Sequence, residues 1–174
     1  GFGDNSTQFV GAWVPGTGLT TLPAGTALRV PAGSRIVMQI HYNTLNSAGT
    51  DRTTAELFLA SGSANRRATI LPIPQTSFRV PAGQKDVTVT TQFTVPSPST
   101  LWGVAPHMHV FGTRIKVEIV GAAATQCLVD IPRWDFNWQQ FYFYAEPVKL
   151  AAGTTLRLSC TYDNSVAHQP VVEG

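Results

Sequence analysis

Two of the chain's four histidines stand one residue apart, in Pro106-His107-Met108-His109-Val110-Phe111-Gly112. The stretch around them, residues 101–111, reads as a β-strand. In a strand, side chains two apart leave the same face with their Cα atoms about 6.6–7 Å apart. That is close enough for His107 and His109 to converge on one ion, while Met108 is sent to the opposite face. Neutral imidazole is a good ligand for copper and for zinc, so the spacing points to a two-donor metal clip. The preceding Trp102-Gly103-Val104-Ala105-Pro106 is apolar, a setting in which a chargeable pair is costly unless something compensates it. A metal ion is a natural compensation; the plainer alternative is a coincidence of surface or core residues.

The other histidines are weaker candidates. In Val37-Met38-Gln39-Ile40-His41-Tyr42, His41 shares a strand face with Val37 and Gln39, a mixed face on which a hydrogen-bonded structural histidine is the ordinary occupant. His168, in Val166-Ala167-His168-Gln169-Pro170, reads as a loop residue. Trp134, Phe136 and Trp138 alternate, which predicts three aromatics on one strand face, either a stacking platform for a sugar or aromatic substrate or, more simply, core filling. Asp130, Asp135 and Glu146 have no paired-carboxylate spacing, and no Ser-His-Asp set, phosphate-binding glycine loop or Cys-x-x-Cys motif is present.

The elements that must position these residues are strands. Period-two alternation dominates and no dozen residues keep a 3.6-residue stripe. The predicted strands span residues 9–14, 27–30, 35–42, 55–60, 76–80, 86–95, 101–111, 114–120, 126–131, 141–144 and 154–162. Four similar phrases punctuate them: Leu22-Pro23-Ala24-Gly25, Val30-Pro31-Ala32-Gly33, Val80-Pro81-Ala82-Gly83 and Leu150-Ala151-Ala152-Gly153. Each reads as a type I turn with Pro second, or Ala151 in the last, and Gly fourth, launching a strand. Many short strands with such turns predict an all-β, jelly-roll-like antiparallel β-sandwich. The polar, then basic run at residues 60–67 is the best candidate for a domain junction.

Charged residues make up only 13% of the chain, and 12 Lys and Arg against 10 Asp and Glu leave a formal charge of +2 with no basic stripe. A nucleic-acid partner therefore has almost no electrostatic support. No apolar run approaches the ~20 residues that cross a bilayer, so no membrane partner is expected. The two cysteines, Cys127 and Cys160, each lie in an alternating segment. Adjacent strands would bring them into a disulfide, and hence a secreted or periplasmic setting; the alternative is two buried free thiols.

From about Ala12 onward the chain resembles the copper type II, ascorbate-dependent monooxygenases, the family of peptidylglycine α-hydroxylating and dopamine β-monooxygenases, and looks closest to their bacterial relatives. Val37-Met38-Gln39-Ile40-His41-Tyr42 is similar to the family motif that carries one copper ligand at the end of its first domain. Pro106-His107-Met108-His109 is similar to the His-Thr-His motif that gives two ligands to the second domain's copper. Residues 141–163, ending Leu158-Ser159-Cys160-Thr161-Tyr162-Asp163, resemble the strand pair before that domain's methionine ligand.

The resemblance implies jelly-roll domains, copper as cofactor and ascorbate as electron donor. It implies that His107 and His109 hold the copper at which oxygen is activated, and that His41 belongs to an electron-storing site. It also implies a small-molecule or peptide substrate. No histidine precedes His41, and no methionine follows Cys160, so the family's other ligands are not in these residues. The resemblance thus implies a fragment, with residues 1–64 the tail of a first domain and 65–174 most of a second. The remainder of a parent chain would be its partner; the parent would be the enzyme, and this piece alone inactive. The rival reading is a non-catalytic jelly-roll binding module that keeps the pair as a relic or structural metal site.

Overall fold

The computed structural model describes residues 8–42, 49–62, 64–121 and 124–169. They fall into two compact units. One is built on Leu22–Ile70; the other joins Gly11–Thr21 to Leu71–Pro170. Among the described residues there is no α-helix, and the ordered elements are strands plus one short 3₁₀ turn at Val166–His168.

In the first unit β1 (Thr26–Leu28) pairs in parallel with β2 (Arg66–Ala68), Thr26 opposite Arg66 and Leu28 opposite Ala68. The sequence pattern did not predict β2. The expected strands at 35–42 and 55–60 enter no ladder, and their apolar side chains lie open, Val37 85% and Leu59 90% exposed. Residues 9–14 and 76–80, also expected as strands, form no ladder either.

The second unit is an antiparallel sandwich. One sheet runs in the order β3 (Val87–Thr94), β8 (Thr155–Tyr162), β5 (Gly112–Val120), β6 (Thr125–Ile131). The other pairs β4 (Ser99–Val104) with β7 (Tyr142–Leu150). Alternation decides which way each strand faces. On β5, Ile115, Val117 and Ile119 turn inward while Arg114, Lys116 and Glu118 turn outward. On β8, Leu156, Leu158, Cys160 and Tyr162 face the core. Val95, Leu128, Leu150 and Leu156 join the two sheets in one apolar cluster with Leu101, Tyr144 and Val148. A second cluster, Met108, Ile115, Cys160 and Tyr162, fills the end of the sandwich where β4 hands over to β5.

The outer face of the larger sheet carries ion pairs. Arg114 grips Asp130 at 2.6 and 2.9 Å. Glu118, buried beneath its partners, takes Lys116 at 2.6 Å and Arg157 at 2.9 Å. Hydrogen bonds from those two cations hold its carboxyl below the usual glutamate range.

The four punctuating phrases are one turn, and not the type expected. In each, a carbonyl accepts the closing hydrogen bond from the N–H three residues on: Thr26 N to Pro23 O, Ser34 N to Pro31 O, Gln84 N to Pro81 O and Thr154 N to Ala151 O. That places Pro or Ala first and glycine third, with φ of +73° to +82° at Gly25, Gly33, Gly83 and Gly153. This is the type II pattern, in which the third position requires positive φ and hence glycine.

The expected disulfide is absent: both cysteines are free, Cys127 exposed and Cys160 buried. Their strands are not neighbours. Cys127 is registered against Glu118 on one side of β5, and Cys160 against Ile115 on the other. Two strand spacings make roughly 10 Å, and three residues along β5 add a similar length at right angles, well beyond the ~7 Å Cα separation a disulfide spans. With the bridge goes the redox argument for a secreted or periplasmic setting.

Tyr162 stacks on Phe78 with ring centroids 5.0 Å apart, and burial, aided by Cys160 beside it, pushes its hydroxyl up to about 12. An unfolded tyrosine ionises near 10, so the folded protein keeps a proton that the unfolded chain gives up. Stability from this group is full below pH 10 and is lost as pH climbs towards 12, by up to about 3 kcal/mol. A Tyr162→Phe protein is therefore expected to show a flatter alkaline arm when denaturant unfolding is followed from pH 9 to 12. Parallel arms for the two proteins would refute the assignment.

Candidate metal centre

The histidine pair lies just beyond a strand rather than within one. β4 ends at Val104, and residues 105–109 lie outside any ladder. Pro106 biases Ala105 to the extended region. Burial then alternates as the spacing implied: Pro106 and Met108 are buried, His107 and His109 exposed. A tight turn follows, closed by Gly112 N donating to His109 O at 2.9 Å, and Asp163 N donates to Phe111 O at 2.9 Å, tying it to the end of β8.

Met108 is the anchor. It is 2% exposed and packs among Ile115, Cys160 and Tyr162, with Trp134 and Phe111 around them. Gly112 leaves room for it: a Cβ there would stand 2.7 Å from the Met108 methyl carbon. Burial of one side chain thus directs its two neighbours outward together.

The result is two imidazoles with ring centroids 5.2 Å apart and planes at 74°. His109 also meets Phe136 edge-on at 6.5 Å. His107 Nδ1 lies 2.6 Å from Gln139 Oε1. Gln139 is 1% exposed, and its Nε2 donates to Phe136 O at 2.7 Å. The amide nitrogen is thereby committed to a carbonyl, its oxygen is the acceptor, and Nδ1 of His107 carries the proton. Nε2 of His107 keeps its lone pair. An imidazole whose second nitrogen is held by a protein acceptor is the usual form of a metal-ligating histidine.

His41 lies in the first unit, exposed and outside any strand. His168 is exposed at the end of the 3₁₀ turn. Among the described residues no three His, Cys, Asp or Glu side chains come together as a metal cage, so the pair is a two-donor arrangement. Trp134, Phe136 and Trp138 do not share a strand face as expected. Asp135 opens a turn closed by Trp138 N to Asp135 O at 3.1 Å, with Asn137 N donating to the Asp135 carboxylate at 2.8 Å. Trp134 turns into the core, Phe136 backs His109 and Trp138 is 64% exposed. Gln139 was not foreseen, because a buried residue of an irregular loop leaves no periodic trace.

The donor set suits copper. Neutral imidazoles bind it well, and Cu(I) accepts few ligands. The family described as copper type II ascorbate-dependent monooxygenase, C-terminal domain, matches residues 66–174. No curated protein matches the chain.

Proposed function

This chain belongs to the copper type II ascorbate-dependent monooxygenases, by way of their C-terminal domain, and on that footing we propose that His107 and His109 form the copper site at which the parent enzyme hydroxylates a substrate C–H bond. The observation that carries the reading is the exposed pair, ring centroids 5.2 Å apart on either side of the buried Met108, with the Nδ1 of His107 already engaged. Copper held there would activate O2 for hydroxylation, with electrons drawn from ascorbate.

The chain's own residues have three tasks in this reading. Met108 and the turn at Gly112 fix the direction of the two rings. Gln139 keeps a donor lone pair on His107. Phe136 shields one edge of His109, leaving the other side of the pair open to a small-molecule or peptide substrate. His41, on the first unit, is proposed as a ligand of the separate electron-storing copper, and residues 1–64 as the tail of the domain that holds it.

Titration of the protein with Cu(I) against a competing chelator, followed by X-ray absorption of the loaded sample, tests the site. Uptake of about one equivalent with imidazole nitrogen neighbours is expected. Uptake without imidazole scattering, or none, would overturn it.

A further inference from the structure

We infer that the Val14–Thr17 turn is a positioning element for the metal site, seating Gln139 so that its amide oxygen holds His107 in the tautomer protonated on Nδ1. The role of the free Nε2 rests on the copper reading above; the tautomer itself rests on hydrogen bonds alone.

Residues 11–21 belong to the sandwich unit although the chain on both sides of them belongs to the other. They form a turn closed by Thr17 N donating to Val14 O at 2.9 Å. This turn engages both backbone polar groups of Gln139: its N–H donates to Pro15 O at 3.0 Å, and its carbonyl accepts from the Thr17 hydroxyl at 2.9 Å. The neighbouring Gln140 Nε2 donates to Gly16 O. Contact is this close because position 16 is glycine, with φ +87°. A Cβ there would stand 2.6 Å from Asn137 O, 2.9 Å from Trp138 Cα and 3.0 Å from Gln139 N.

With its backbone pinned, Gln139 has one productive arrangement of its side chain. The Nε2 donates to Phe136 O and the Oε1 accepts from His107. Exchanging the two ends would set an acceptor against the Phe136 carbonyl and a donor against a protonated Nδ1. A buried amide with every group matched resists that exchange, since burial makes an unmade hydrogen bond costly. The order of control therefore runs from turn to Gln139 backbone, to amide, to imidazole. Loosening any link allows His107 to place its proton on Nε2, the atom that must be bare to bind a metal.

The test is nitrogen NMR of the histidines in the metal-free protein, at a pH where the imidazoles are neutral. His107 is expected to carry its proton on Nδ1. Gln139→Leu should abolish the preference, and Thr17→Val, which removes one hydroxyl at constant shape, should weaken it, with the His109 signals unmoved in both. Cu(I) affinity measured alongside should fall about ten- to a hundredfold in Gln139→Leu, the usual cost of losing a ligand's outer partner, and by less in Thr17→Val. A wild-type His107 protonated on Nε2, or variants whose tautomer matches wild type, would overturn the inference. A tautomer that shifts in Gln139→Leu with copper affinity unchanged would leave the seat standing and refute its role at a metal. If Gln139→Leu does not fold, wild type and Thr17→Val still decide the matter.

Discussion

A protein carrying both His107→Ala and His109→Ala is expected to keep its fold and lose the copper uptake proposed for the pair. The two rings are exposed, and exposed positions usually tolerate substitution within about 0.5 kcal/mol. His107 departs from that rule in one respect. Its removal leaves the oxygen of the 1% exposed Gln139 without its partner, which costs about 1–3 kcal/mol. The segment itself is held by Pro106 and Met108, which are buried and unchanged. Denaturant unfolding should therefore show a modest loss of stability with the cooperativity of the transition retained. Copper uptake, by contrast, should fall beyond detection, because no third His, Cys, Asp or Glu among the described residues is grouped with the pair to substitute for it. The variant is best compared with wild type by chelator competition. Equal uptake by the two proteins would move the metal away from this pair and bring the binding-module reading forward.

Met108→Ala is expected to do the reverse, leaving both proposed ligands in the chain and removing what aims them. Met108 is 2% exposed in a cluster with Ile115, Cys160 and Tyr162. Truncating a buried Met to Ala costs about 2–5 kcal/mol, from lost transfer energy and from the cavity left behind. The volume vacated adjoins Gly112, which has no side chain to collapse into it, so the upper part of that range is expected. The chain between the histidines would then be free to rotate, and copper affinity should fall with stability. Met108→Leu, nearly the same volume, should cost less than about 1.5 kcal/mol and keep the metal. An alanine variant within 1 kcal/mol of wild type would show that Met108 is not the anchor.

The alternation His-Met-His was legible because one buried thioether between two polar rings is a local pattern, and an extended chain sends neighbours to opposite sides whether or not a partner strand exists. For the same reason the pattern misjudged where β4 stops. Residues 105–109 alternate in burial, yet no ladder holds them. Residues 35–42 alternate as clearly and pair with nothing among the described residues. Alternation reports the two faces of a segment, whereas a strand also requires a neighbour that sequence pattern alone does not supply. The cysteines failed on the same ground: both lie on strands as predicted, with β5 between them. Gln139 was invisible because its importance comes from a contact with Thr17, 122 residues earlier.

That separation matters to anyone who would divide the protein. The family match begins at residue 66, which invites a cut there to obtain the sandwich alone. Such an excision would discard the Val14–Thr17 turn, leaving the Gln139 amide and carbonyl without two of their partners. The six strands would survive the scissors, but the shorter protein would report on a weakened site, and a poor copper affinity measured on it would be a property of the cut.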